Sequence, residues 1–113
     1  MAIIIKTKNP HLLLDKIYEA IDTRKAEKWL RTADGFLTYG SFSMKGEAFF
    51  KPQIWVDDDE LRFGLLKRKG RKHMTTKIYA TFHTKLVEIL LSQFDTLFYN
   101  VTVSATRTEP DNY

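Results

Sequence analysis

The chain has 113 residues, a net charge of +4, 43% hydrophobic residues and no cysteine. This length suits one domain with a core of its own, and the lack of cysteine excludes a disulfide framework, a thiolate zinc site and a cysteine nucleophile. The N-terminal apolar run Ile3–Ile5 is too short for a signal peptide, and no segment reaches the roughly 18 apolar residues of a membrane helix, so we expect a cytoplasmic protein without membrane contact.

The N-terminal part predicts a strand followed by an amphipathic helix. Ile3–Thr7 is rich in β-branched residues, Asn9 is a good N-cap and Pro10 suits the first helical position. Apolar side chains then recur with the spacing of one helical face, at Leu14, Ile17, Tyr18 and Ile21. We expect this helix to end around Thr23–Ala26.

An Asp-Gly pair at positions 34–35 lies between two strand-like runs. This pattern predicts a β-hairpin closed by a two-residue type I′ turn. In the resulting register Ala33 pairs with Phe36. Since side chains alternate along a strand, Trp29, Arg31 and Phe36 are then expected on one face of the hairpin.

The second half predicts two more strands, a long helix and a last strand. The first strand, Ala48–Val56, contains Pro52 and is therefore expected at a sheet edge or with a bulge. A second strand, Leu61–Leu66, pairs back with it. The helix begins near Thr76 and has an apolar stripe, and residues 97–103 alternate as a strand does.

These elements follow the order β-α-β-β-β-β-α-β. The pattern predicts an α+β fold, with a mainly antiparallel sheet of about six strands and two helices on one face. It resembles the ferredoxin-like arrangement with an added hairpin between the helices. We expect a single domain over residues 1–105 and a flexible C-terminal tail over 106–113.

A basic run carries the whole positive excess of the chain. Without it, the remaining sequence has 13 Lys or Arg against 14 Asp or Glu. Local positive charge attracts nucleic acid or an acidic protein, and a helix N-terminus near Thr75 or Thr76 would add free N–H groups. The alternative is a solvated surface loop. The candidate anion-binding residues are Lys67, Arg68, Lys69, Arg71 and Lys72.

Aromatic and basic side chains also alternate on the predicted sheet. One set lies on the first hairpin and the other on the strand Ala48–Val56. If both sets point away from the helices, they form a platform on which bases could stack or to which a protein partner could bind. A homodimer contact is the second interpretation, and ordinary burial with the register one residue out is the third. The residues concerned are Trp29, Arg31, Phe36, Phe49 and Trp55.

Signals for catalysis or metal binding are weak. The acidic turn Asp57–Glu60 lacks the spacing of a calcium loop, and the three histidines are dispersed along the chain. No serine has the context of a nucleophile elbow. We therefore expect no metal and no cofactor, and we favour a protein without enzymatic activity.

The stretch Tyr79–Asp95, with Trp29 and the turn at 34–35, resembles short uncharacterised bacterial proteins to which no activity is assigned. This resemblance implies a bacterial, cytoplasmic protein and transfers no site residue. Our hypothesis is a small non-enzymatic binding module that contacts an anionic partner, nucleic acid being the most concrete, through the basic run. The alternative is a homodimeric or an inhibitor- or immunity-type interaction module that uses an aromatic sheet face.

Overall fold

A computed structural model of the chain describes residues 2–26, 28–40, 48–67 and 76–104. Within these ranges a six-stranded antiparallel sheet carries two α-helices on one face, which confirms the predicted α+β class. The elements are β1 (Ile3–Lys6), α1 (Pro10–Asp22), β2 (Trp29–Arg31), β3 (Leu37–Tyr39), β4 (Ala48–Trp55), β5 (Glu60–Lys67), α2 (Thr76–Gln93) and β6 (Asn100–Val103). The ferredoxin-like comparison stays a prediction, and the tail predicted over 106–113 lies outside the described residues.

The strands lie side by side in the order β2-β3-β4-β5-β1-β6. The β4–β5 pair is the longest, with partners running from Ala48↔Lys67 to Trp55↔Glu60. β4 therefore lies inside the sheet, so the prediction of an edge strand at Pro52 is wrong, and the alternative of a bulge is not seen in its unbroken pairing with β5. The described pairing of β3 with β4 is at Leu37↔Phe50 and does not reach Pro52, whose described partner is Phe63 of β5.

Helix α1 begins as its sequence predicts. The Asn9 side chain accepts a hydrogen bond from the Leu12 N–H at 3.0 Å, and Pro10 occupies the first turn. Leu13, Ile17 and other small or apolar residues of the helix face the sheet. Of the two helices in the described ranges, neither combines the length and apolar character that crossing a membrane requires.

The core is centred on an aromatic cluster between α2 and the sheet. Phe50 of β4 is fully buried, with ring centroids of Trp29, Phe63 and Phe82 at 6.0–6.2 Å. The predicted apolar stripe of α2 supplies much of the other side, with Tyr79, Phe82, Leu86, Ile89 and Leu90 all buried. Burial of this stripe stabilises the packing of α2 against the sheet.

The β2–β3 hairpin is paired one residue away from the predicted register. Its pairs are Trp29↔Tyr39, Leu30↔Thr38 and Arg31↔Leu37. Gly35 has a φ of 85°, whereas Asp34 does not adopt a positive φ, so a two-residue type I′ turn is excluded. The Thr32 N–H donates to the Phe36 carbonyl at 2.8 Å, which closes a loop of three residues.

This shift moves Trp29 to the opposite face from the one expected beside Phe36, since one residue of slippage reverses every side chain. Trp29 is 4% exposed and packs edge-on against Phe82 of α2. Phe49 and Trp55 lie on the face away from the helices, which we call the outer face. The prediction of one platform formed by both aromatic sets is therefore wrong.

Candidate functional site

Two open clefts adjoin at the β2 edge of the sheet and share Lys28 and Trp29. One, of about 320 Å³, lies between the α1–β2 connection, β3 and α2. The other, of about 590 Å³, follows β2 to the end of α1. Together they form what we call the basic groove, whose charged lining consists of Arg24, Lys25, Lys28, Arg31, Lys85, Asp22 and Glu88. Among the described residues of the lining, five cations stand against two acids, which favours a positive potential.

The end of α1 places the first two cations in the groove. The Lys25 N–H donates to the Ala20 carbonyl at 2.8 Å, and the Arg24 N–H donates to the Ile21 carbonyl at 3.1 Å. These two bonds are those of a Schellman motif, which needs a left-handed residue at its turning point and usually has glycine there. Here Arg24 fills the position with a φ of 62°.

Lys28, directly before β2, is a second cationic residue with a left-handed backbone. It has a φ of 69°, and its carbonyl accepts a hydrogen bond from the Gly40 N–H. A left-handed conformation costs a non-glycine residue about 1–2 kcal/mol. Two positions that favour glycine are thus occupied by cationic residues within one groove.

Buried aromatic residues form the floor of the groove. Trp29 and Tyr39 meet edge-to-face with their ring centroids 5.4 Å apart, and both are less than 8% exposed. The Gln93 side-chain amide donates to the Lys25 carbonyl at 2.9 Å and so joins the end of α2 to the α1–β2 connection. The groove therefore has a fixed base, and its cationic side chains project from it.

Two of the five cations are paired. Lys85 lies 3.4 Å from the Glu88 carboxylate, and Arg31 lies 3.1 Å from Asp22 with its guanidinium 4.3 Å above the Tyr18 ring. Among the described residues, Arg24, Lys25 and Lys28 form no ion pair. Burial raises the pKa of the Tyr18 hydroxyl, and the Arg31 cation partly opposes that rise. Within the described part of the groove lining, the positive charge without an ion-pair partner therefore lies on the α1–β2 connection.

The predicted basic run lies almost entirely outside the described residues. Only Lys67 is described, at the end of β5. β2 begins and β3 ends at this same end of the sheet, because β2, β3, β4 and β5 are successive antiparallel neighbours. Three strand spacings separate β2 from β5, so Lys67 lies about 15 Å from Lys28 across the sheet. The anion-binding role of Arg68, Lys69, Arg71 and Lys72 stays a prediction.

On the outer face, Trp55 lies under a charged network. The Arg62 guanidinium is 3.5 Å from the centre of the Trp55 ring system, and its Nε donates to the Glu60 carboxylate at 2.7 Å. Lys6 reaches the other Glu60 oxygen at 2.9 Å. Burial opposes ionisation of Glu60, but the hydrogen bonds and charges of Lys6 and Arg62 outweigh it and lower its pKa.

This arrangement covers one face of the Trp55 indole, so its stacking surface is partly occupied. Phe49 is half-buried on the same outer face. A homodimer or an inhibitor-type interaction through these residues stays a prediction.

Among the described residues, His83 and the acidic turn are the other titratable candidates from the sequence. His83 is buried, stacked on Tyr79 with ring centroids 4.1 Å apart, and its Nδ1 lies 2.7 Å from the Tyr79 carbonyl oxygen. Within residues 2–26, 28–40, 48–67 and 76–104, no three His, Asp or Glu side chains come together as metal ligands would. The acidic residues Asp57–Glu60 form a 3₁₀ turn and the start of β5.

No protein-family model matches the chain, and neither curated proteins nor solved structures give a significant match. The resemblance to short bacterial proteins therefore stays a prediction. The candidate site rests on the residues of this chain alone.

Sequence reasoning missed Arg24, Lys25, Lys28 and Lys85. A signal was present, because the segment Arg24–Arg31 contains four cations around Trp29 with a single acid. The basic run at 67–73, which has five cations and no acid, was interpreted as the binding site instead.

Proposed function

We propose that the protein is a non-enzymatic module that binds a linear polyanion in the basic groove, with nucleic acid as its partner. The observation that carries the proposal is the left-handed backbone of Arg24 and Lys28. Residues of this kind concentrate at functional sites, and of the three described non-glycine residues with a positive φ two lie in the groove and the third, Asp59, lies in the acidic turn. Because glycine would fit both positions at lower cost, the cationic side chains themselves offer the best reason for the strain.

The shape of the groove favours a chain of phosphates over a single anion. The two clefts are open and share Lys28 and Trp29, and cations line both of them. A positively charged groove that follows a phosphate backbone is how proteins bind nucleic acid without reading its sequence.

The distribution of acids supports one orientation of binding. Asp57, Asp58 and Asp59 lie where β4 joins β5, and Lys67 lies at the far end of the eight-residue β5 strand. Eight residues of strand separate these charges by about 24 Å. Within the described residues, these aspartates and the basic groove thus lie at opposite ends of the sheet, which would steer the end with the groove towards a polyanion.

A double variant, Arg24→Gly with Lys28→Gly, tests the proposal without risk of unfolding. Glycine relieves the left-handed strain at some entropic cost, so we expect the free energy of unfolding to rise by about 1 kcal/mol. Nucleic-acid binding should nevertheless weaken about tenfold at low salt, with a salt slope lower by about 2. Urea denaturation and fluorescence anisotropy with labelled oligothymidylate, at about 50 and 200 mM salt, measure the two effects.

The matched control removes the same charge from outside the groove. Lys8→Ala with Lys51→Ala replaces two exposed lysines, one before α1 and one on β4, and should leave the affinity within about twofold of the parent. An equal loss of affinity in both double variants would show that net charge alone binds the oligonucleotide. Absence of binding by the parent at low salt would reject the proposal, and an acidic protein would become the better partner.

A further inference from the structure

We infer that the basic groove recognises phosphate groups and does not read bases, so that a polyphosphate without bases binds in it as a nucleic acid does. This inference rests on the proposed function and narrows its ligand to the phosphate chain itself. It follows from the aromatic faces and hydrogen-bonding groups available to a base, and from the cations available to a phosphate.

The aromatic rings of the groove are not available for stacking. Binding by stacking needs an aromatic face open to solvent. Trp29 is 4% exposed, with Tyr39 and Phe82 set edge-on against it and Phe50 tilted beside it. Tyr39 is 7% exposed. Both rings support the groove from below, and neither offers a base the face that it would need.

Two of the side chains suited to reading base edges, Gln93 and Arg31, are already engaged. Base edges are read by paired hydrogen bonds from Arg, Asn or Gln. The Gln93 amide donates to the Lys25 carbonyl, and the Arg31 guanidinium lies between the Tyr18 ring and Asp22. The groove therefore lacks a prepared base reader on α2 and on β2.

The groups that remain suit phosphate. Lys25 and Lys28 are exposed ammonium groups, which act as point charges without directional preference for a base. Arg24 adds a planar guanidinium, which fits two oxygens of one phosphate. All three are exposed and lie close together in the sequence between α1 and β2, so we expect them to contact phosphates of one chain.

Competition binding tests the inference. The parent protein, bound to labelled oligothymidylate at low salt, is titrated with unlabelled oligothymidylate, oligoadenylate, a mixed-sequence strand and inorganic polyphosphate, each matched in phosphate number. We expect the four competitors to agree within about threefold, because one stacked base alone would change affinity by more than about fivefold. The Arg24→Gly, Lys28→Gly variant should lose affinity for polyphosphate and for DNA by the same factor.

Tryptophan fluorescence gives a second readout. In a Trp55→Phe variant the emission comes from Trp29 alone, and it should change by less than about a tenth on saturation with DNA, since stacked bases quench indole and phosphates do not. Three results would overturn the inference while leaving nucleic-acid binding in place. They are failure of polyphosphate to displace bound DNA, a preference above about tenfold for one base, and strong quenching of the Trp29 emission. If neither DNA nor polyphosphate binds, the proposed function is rejected as well.

Discussion

Replacing Phe50 by Ala is expected to lower the free energy of unfolding by about 3–5 kcal/mol, the largest effect of any single substitution proposed for this chain. Phe50 is fully buried, and its ring contacts those of Trp29, Phe63, Phe82 and His83. Removing it leaves a cavity where β2, β4, β5 and α2 meet. Urea denaturation followed by far-ultraviolet circular dichroism measures the loss.

Phe49→Ala is the matched control, because it removes the same atoms from the next position of the same strand. Phe49 is half-buried on the outer face, so we expect a cost of only about 1 kcal/mol. If the Phe50 variant does not fold, Phe50→Leu should still cost about 1–2 kcal/mol, more than Phe49→Leu. Equal costs at the two positions would contradict the assignment of the sheet faces.

Replacing Glu60 by Gln is expected to lower the free energy of unfolding by about 2 kcal/mol near neutral pH. Glu60 is 6% exposed and accepts hydrogen bonds from Lys6 and Arg62. Gln keeps the size of the side chain but removes the charge that pairs both cations, so it leaves them partly uncompensated. The effect is smaller than that of Phe50→Ala, because water still reaches Lys6.

This loss should depend on pH in a defined direction. The pKa of Glu60 in the folded protein lies below its ordinary value of 4.5, since Lys6 and Arg62 stabilise the carboxylate against the effect of burial. The ionised group therefore stabilises the fold above that ordinary value, and the stabilisation is lost as the pH falls through the lowered pKa. The difference between parent and Glu60→Gln should shrink as the pH falls from about 6 towards 3.

Glu19→Gln serves as the comparison for this pH series. Glu19 is exposed on α1 and lies 3.5 Å from Lys16, so its replacement should change stability by less than about 0.5 kcal/mol at every pH. A difference between parent and Glu60→Gln that stays constant over the series would show that the Glu60 carboxylate is not stabilised by its neighbours.

The helices and the element order could be predicted because their signals are local and periodic. The N-cap at Asn9 and the apolar stripe on α2 were both read correctly from a few neighbouring residues. The phase of β4, with Phe49 and Trp55 together on one face, also followed from simple alternation. Short-range chemistry determines these features, so the sequence shows them directly.

The hairpin register could not be predicted in this way, because Asp-Gly suits two loops of different length. Contacts with α1 accompany the longer loop. The Tyr18 hydroxyl donates to the Gly35 carbonyl at 2.7 Å, and Arg31 stacks on the Tyr18 ring. These contacts join residues that are distant in sequence, and the resulting shift of one residue put Trp29 in the core.

The basic groove could not be predicted from the sequence for a related reason. Lys85 lies about sixty positions from Lys28 and comes beside it only through the packing of α2 against β3. The left-handed conformations of Arg24 and Lys28 also give no sequence signal, since glycine is what such positions usually contain. Charge density along the chain therefore pointed to residues 67–73 and not to the α1–β2 connection.

Backbone amide chemical shifts, recorded by NMR during a titration with oligothymidylate at low salt, test the proposed binding site most directly. We expect the perturbations to concentrate in Arg24–Arg31 and Lys85–Gln93, with little change at Lys51 and Trp55 on the outer face. They should be smaller in the Arg24→Gly, Lys28→Gly variant at the same oligothymidylate concentration, because its affinity is about tenfold lower. Perturbations centred on Phe49 and Trp55, or none at all, would contradict the assignment of the polyanion site to the basic groove.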